Sequence, residues 1–155
     1  MTRKDLTTFE PIILDLLSNE EMNFRSSGAA LDRMEKTRLI SNYPPAYRYL
    51  DTCVASAEKR ANLSKPNCSK CWKCARTMIT LDLLQQLHNF SEVYDIDYYQ
   101  THKLDLLELV YKKKRSGSFG DNQLWDLLQE SSLLKSEATF AKRRYLLRSL
   151  IRRVF

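Results

Sequence analysis

The hydrophobic positions of this chain recur mainly at helical spacing. Apolar residues follow that spacing from about Trp72, again over about Tyr98 to Lys114, and in "NQLWDLLQESSLL" beyond them. The segment "EPIILDLLSNEE" places its proline where a first helical turn accepts it. Only Met22 to Arg25 is a candidate for a short strand. We therefore predict a mainly α fold, a small helical domain with at most one or two short strands.

Start and stop signals place two further helices. Asp32 and Glu35 have the spacing of a capping box, and the helix they begin should end before "NYPPAY". Ser136 is the expected cap of a final helix, whose apolar stripe would be Phe140, Leu147, Leu150, Ile151 and Val154. We predict a module over 1–90 and a helical extension over 91–155 that packs on it, with a hinge at "SGSFGD".

Composition fits a soluble protein without a membrane partner. Of the 155 residues 43% are hydrophobic and 28% charged, and no apolar run approaches the roughly 18 residues that a bilayer span requires. The N-terminal "MTRKDLTTFEP" lacks the apolar region of a secretory signal. We expect a cytoplasmic protein, and in that compartment clustered cysteines are typical of metal sites rather than disulfides.

The four cysteines of the chain have metal-ligand spacing. Cys53, Cys68, Cys71 and Cys74 form the pattern C-x14-C-x2-C-x2-C. Pairs separated by two residues let one turn bring two sulfurs to a metal, and the distant cysteine completes a tetrahedron. We predict a structural zinc site, a four-cysteine knuckle, whose negative charge Lys65, Lys70, Lys73 and Arg76 would offset.

Two alternatives to zinc stay open at this point. An iron–sulfur cluster is the main one, because C-x2-C-x2-C also begins a ferredoxin motif, although the cysteine that continues that motif is missing here. Four unligated thiols are the other. A hydrolytic or nucleophilic role is disfavoured, since four thiolates leave zinc no open position and the two histidines, His88 and His102, are expected at helix ends or on the surface.

The residues resemble those of a known family. "LDRMEKTRLI", then Cys53, then "NCSKCWKCARTMITLDLL" looks like the C-terminal part of PP-loop ATP pyrophosphatase-like proteins, relatives of 7-cyano-7-deazaguanine synthase. The resemblance covers roughly 9–90. It implies that the four cysteines bind zinc and that Lys36 faces nucleotide phosphates on an ATP-binding partner chain.

The departures from that family are equally informative. Its ATP chemistry uses an N-terminal "SGGxDS" loop, which this sequence lacks, and Ser69 stands where the family's "NCGxCxKCxRT" signature has glycine. The resemblance therefore implies an accessory or C-terminal module of a PP-loop enzyme that is not catalytic alone.

Two further functions are suggested by the sequence. The basic charge of the last helix suggests nucleic-acid binding, and leucines without an obvious packing partner suggest protein binding. From Lys135 to Phe155 seven basic residues accompany one acidic residue, a net +6 that equals the charge of the whole chain. Such a helix is a candidate surface for nucleic acid, and RNA is the polymer that the resemblance favours. Its candidate contacts are Arg143, Arg144, Arg148, Arg152 and Arg153. The third reading is a protein-interaction or homo-oligomerisation element, with an exposed Trp125 among Leu124, Leu127 and Leu128.

Overall fold

The computed structural model describes residues 10–25, 31–117 and 119–154, and these residues form helices and loops without a strand. A 3-10 turn, Leu87–Phe90, follows the fifth α-helix. The α-helices, in chain order, are α1 Glu10–Leu17, α2 Arg33–Ser41, α3 Ala46–Tyr49, α4 Ala57–Arg60, α5 Trp72–Leu83, α6 Ile96–Arg115, α7 Phe119–Glu130 and α8 Lys135–Val154. The predicted mainly α fold is confirmed.

Most of the predicted helix signals are found in the structure. The Asp32 side chain accepts a hydrogen bond from the Glu35 backbone, and the Glu35 carboxylate accepts one from the Asp32 backbone, so the capping box is complete. The strand suggested for Met22 to Arg25 is absent, because Asn19 and Ser18 fold this segment into a turn. Gly28 and residue 118 of the predicted hinge lie outside the described residues, and the hinge prediction is wrong for 119–121, which belong to α7.

The core lies where α5, α6 and α7 meet. Its fully buried side chains come from all three helices and from the turn after α5, and the largest are Trp125, Tyr94, Tyr99, Phe90, Met78 and Ile79. Helix α2 packs on α5 and α7 from one side. Helices from both sides of residue 90 share this core, and the proposed division at that residue stays a prediction.

Trp125 was predicted to be exposed, and this prediction is wrong. The indole is only 2% accessible and packs on the Tyr111 ring with centroids 4.7 Å apart. Leu124 and Leu128 are completely buried beside it, so this face of α7 belongs to the core. Leu127 alone of that group is exposed, which removes α7 as the main candidate for an interaction surface.

Helix α8 packs along α6, but the face that contacts α6 is not the apolar stripe predicted from the sequence. It begins at Lys135, so Ser136 lies inside the first turn and does not cap it. The buried side chains Ala138 and Ala141 let the two helices approach closely. Beside them, Arg144 contacts Glu108 and Asp105 of α6, and Arg148 bonds the second Glu108 oxygen at 3.0 Å. Small residues, ion pairs and the partly buried Tyr145 and Leu146 fix this helix, whereas the predicted stripe does not.

The predicted apolar stripe of α8 is consequently left in solvent. Its four described side chains are between 56% and 61% accessible, namely Phe140, Leu147, Leu150 and Ile151. The side chain of Val154 lies outside the described residues. Within the described part of the chain, no helix is long and apolar enough to cross a bilayer.

Candidate metal centre

The structure brings the four cysteines together. The Sγ atoms of Cys53, Cys68, Cys71 and Cys74 all lie within 4.8 Å of one another. Two of the separations are 3.9 Å for Cys68 to Cys74 and 3.4 Å for Cys71 to Cys74. Four sulfurs at about 2.3 Å from one zinc stand about 3.8 Å apart in a regular tetrahedron. The sulfurs therefore fit a four-coordinate metal ion.

Helix α5 positions two of these sulfurs. Cys71 is its N-cap residue in extended conformation, and Cys74 lies one turn later, completely buried against the core. Ahead of them the chain must reverse, and Ser69 does so with a φ of +55°, in the left-handed region. Glycine adopts this backbone conformation at the least steric cost, so a serine here is strained.

Ser69 stabilises the turn in another way. Its side chain is buried, and its Oγ accepts a hydrogen bond of 2.9 Å from the backbone N–H of Asp95. Asp95 is in turn the N-cap of α6, with its carboxylate bonded to the Tyr98 backbone. The serine thus links the cysteine turn to the beginning of α6, a contact that the sequence did not reveal.

Asn67 joins the two cysteine segments. Its buried side-chain amide donates to the carbonyl oxygens of Leu50 at 2.7 Å and Val93 at 3.2 Å. Its amide oxygen accepts from the Thr52 backbone at 2.8 Å and, more weakly, from the Thr52 hydroxyl. That hydroxyl also bonds the buried Tyr94 hydroxyl at 2.6 Å. Asn67 therefore holds the segment that leads into Cys53 next to the segment that leads into Cys68.

Asn67 and its partners are functional residues that the sequence reasoning missed. Asparagine is common in ordinary turns, so its identity alone did not assign it a role. The available signal was its position directly before the first cysteine of the C-x2-C-x2-C run, where a side chain with both donors and acceptors can hold the loop.

Backbone amides and burial control the ionisation of the thiols. The N–H of Cys71 points to the Cys68 sulfur at 3.3 Å, and the N–H of Ala55 to the Cys53 sulfur at 3.4 Å. Burial nevertheless raises the pKa of the Cys68 thiol, because it outweighs the backbone hydrogen bonds that this sulfur accepts. The hydrogen bond between Cys71 and Cys74 lowers the pKa of Cys71 to about 4 and, together with burial, raises the pKa of Cys74. One thiolate therefore forms easily even before a metal arrives.

Three of the four cations predicted to offset the charge of the cluster lie over aromatic rings next to the cysteines in sequence, and the offsetting role of Lys65, Lys70, Lys73 and Arg76 stays a prediction. Lys73, Arg76 and Lys113 lie 5.9, 4.6 and 5.1 Å from the centre of the Trp72 ring. Lys70 lies 5.1 Å from the centre of the Tyr98 ring. The aromatic faces attract these positive charges and hold them on Trp72 and Tyr98.

The other predicted site residues are not part of this cluster. Lys36 is exposed on α2. Arg143 and Arg152 are exposed on α8, whereas Arg144 and Arg148 are held in ion pairs with α6. The side chain of Arg153 lies outside the described residues. The predicted RNA surface is thus divided, with two of its arginines already engaged by carboxylates.

Comparison with known proteins adds no relative. No protein-family model, no curated protein and no solved structure matches this chain. The resemblance to PP-loop proteins, the phosphate-facing role of Lys36 and the ATP-binding partner chain therefore stay predictions.

Proposed function

We propose that the chain is a non-catalytic helical module, stabilised by one structural Zn²⁺, that acts by binding another protein through the exposed apolar face of α8. The observation that carries the proposal is this face. Helix α8 is held on the fold by another face, while Phe140, Leu147, Leu150 and Ile151 stand in solvent, and this is the pattern of a binding surface.

Zinc is supported by the chemistry of the donor set. Four cysteine sulfurs within 4.8 Å of one another are the donor set that structural zinc prefers, and an ion bound by all four would have no open position for water. The ion would neutralise thiolates, fix the Ser69 turn and hold the segment before Cys53 on the beginning of α5. An iron–sulfur cluster uses the same four ligands, so the metal must be identified directly.

Protein binding is favoured over RNA binding by the pairing of the basic side chains. Glu108 is 9% accessible, and both of its oxygens are used by Arg144 and Arg148. Releasing these arginines to phosphates would leave a largely buried carboxylate without partners, which is costly. The leucines, in contrast, are available to a partner without rearranging the fold.

Elemental analysis of the purified protein tests the metal. We expect one zinc per chain and no visible absorbance, with loss of zinc when the cysteine ligands are replaced by serine. If the purified protein is brown and contains iron and sulfide, the bound group is an iron–sulfur cluster and not zinc.

Photo-crosslinking in the cells that make the protein tests the interaction. A photoreactive amino acid at Leu147, which is 61% accessible on α8, should give a discrete crosslinked species. Leu39 on α2 has the same accessibility and is the matched control. Equal crosslinking from the two positions, or none from Leu147, would reject α8 as the binding surface.

A further inference from the structure

Two helices of the chain carry apolar faces that the described residues leave uncovered. On α8 this face is the one proposed above as the binding surface. On α1, four aliphatic side chains are between 38% and 80% accessible, namely Ile12, Ile13, Leu16 and Leu17. Helix α1 also makes no extensive contact with the other described helices. Each face therefore lacks an apolar partner within the described chain.

The two faces carry opposite charges. The segment Glu10 to Glu21 contains four acidic residues and no basic one, whereas seven basic residues accompany one acidic residue from Lys135 to Phe155. Glu20 and Glu21 are exposed just after α1, and Arg143 and Arg152 are exposed on α8. An acidic amphipathic helix and a basic one of similar apolar character are complementary in both respects.

We infer that the occupant of the α8 face is α1 of a second copy of this chain, and that two copies exchange α1 reciprocally. The inference rests on the proposed function, because it names the partner of the same surface. Within one chain both faces are open to solvent. A two-fold pair in which each α1 lies on the partner's α8 covers all four faces with one kind of contact.

Light scattering after size-exclusion chromatography measures the mass directly. The wild-type protein, measured over about a hundredfold range of concentration, should reach twice the 18.2 kDa of one chain. Ile12→Asp with Leu16→Asp, or Leu147→Asp with Ile151→Asp, should give the mass of one chain. Leu39→Asp adds the same kind of charge at an exposed position of α2 and should leave the pair intact. Because all five side chains are exposed, the helical circular dichroism of each variant should be unchanged.

Complementation separates exchange between copies from docking inside one chain. One double variant has a defective α1 and an intact α8, and the other has the reverse. Mixed in equal amounts, they retain one intact α1–α8 contact and should form a mixed pair, although each alone is a single chain. A wild-type protein that stays a single chain overturns the inference. A pair that survives both double variants, or a mixture that forms no pair, also overturns it.

Charge reversal provides an independent readout of the same contact. Glu20→Lys with Glu21→Lys should weaken pairing at least tenfold, as should Arg143→Glu with Arg152→Glu, and the two reversals combined should restore it. If the reversals have no effect, the acidic segment is not the occupant. If Leu147 crosslinks to a different protein while the wild type remains a single chain, the inference fails but the proposed function stands.

Discussion

The contribution of Asn67 to the metal centre can be measured by replacing it with alanine. The change removes two donors and one acceptor from a buried position and leaves every cysteine in place. Val93 would keep the hydrogen bond from the Asn67 backbone, and the Thr52 hydroxyl would keep Tyr94. The carbonyl of Leu50 and the N–H of Thr52 would lose the partner that the structure gives them.

The expected cost follows from these two groups. A buried donor or acceptor that loses its partner costs about 1–3 kcal/mol, and both groups belong to half-buried residues, so the lower half of that range applies. We expect Asn67→Ala to lower the free energy of unfolding by about 2–4 kcal/mol. For a chain of this size, each kcal/mol lowers Tm by about 2–4 °C.

Urea unfolding in excess zinc, followed by circular dichroism, measures this difference. Asn89→Ala is the matched control, because the Asn89 side chain is half-buried and bonds only Gln86, at 2.7 Å. It should change the unfolding free energy by less than about 1 kcal/mol. If Asn67→Ala stays within about 0.5 kcal/mol of wild type, Asn67 does not hold the two cysteine segments together.

The remaining predictions concern the ligands, the turn and the α6–α8 contact. Cys71→Ser should unfold or aggregate the protein, and a soluble, cooperatively folding variant without metal would contradict this. Removal of the metal by a chelator should lower the thermal midpoint of unfolding. Acid should lower it as well, because protons compete with zinc for the thiolates as pH falls. Calorimetry with and without added zinc checks both expectations. Ser69→Ala keeps the left-handed φ and loses the Asp95 bond, so it should cost about 1–2 kcal/mol, whereas Ser69→Gly relieves the backbone and should cost less. Glu108→Ala should cost about 2 kcal/mol in urea unfolding, because it leaves Arg144 without its main partner, and Glu58→Ala on exposed α4 should cost almost nothing.

Local signals in the sequence were sufficient for the longer helices and for the cysteine cluster, but not for the short helices α3 and α4. The capping box joins Asp32 and Glu35 within one helical turn, and the approach of the cysteines depends on short turns and a single loop of fourteen residues. Such features are determined mainly by nearby residues. Asn67 was missed because its partners Leu50 and Val93 are distant in sequence, and their carbonyl groups leave no trace in residue type.

The orientation of α8 shows a different limit. Periodicity identified the apolar stripe correctly, but it does not say whether a stripe packs inside the chain or stays outside. That choice depends on α6, where Asp105 and Glu108 attract Arg144, and on Ala138 and Ala141, which allow close approach. A basic helix was therefore read as free for RNA, although its charges are partly used within the fold.

The positions of the two tryptophans give the protein two separate optical reporters. Trp72 is half-buried next to Cys71 and among cations, so its fluorescence should respond to metal binding and to local opening of the cysteine turn. Trp125 is almost fully buried among α6 and α7, so its emission should change only when the core unfolds. Trp72→Phe and Trp125→Phe would isolate each signal. A titration of each variant with a chelator would then show whether the metal is lost before the core unfolds.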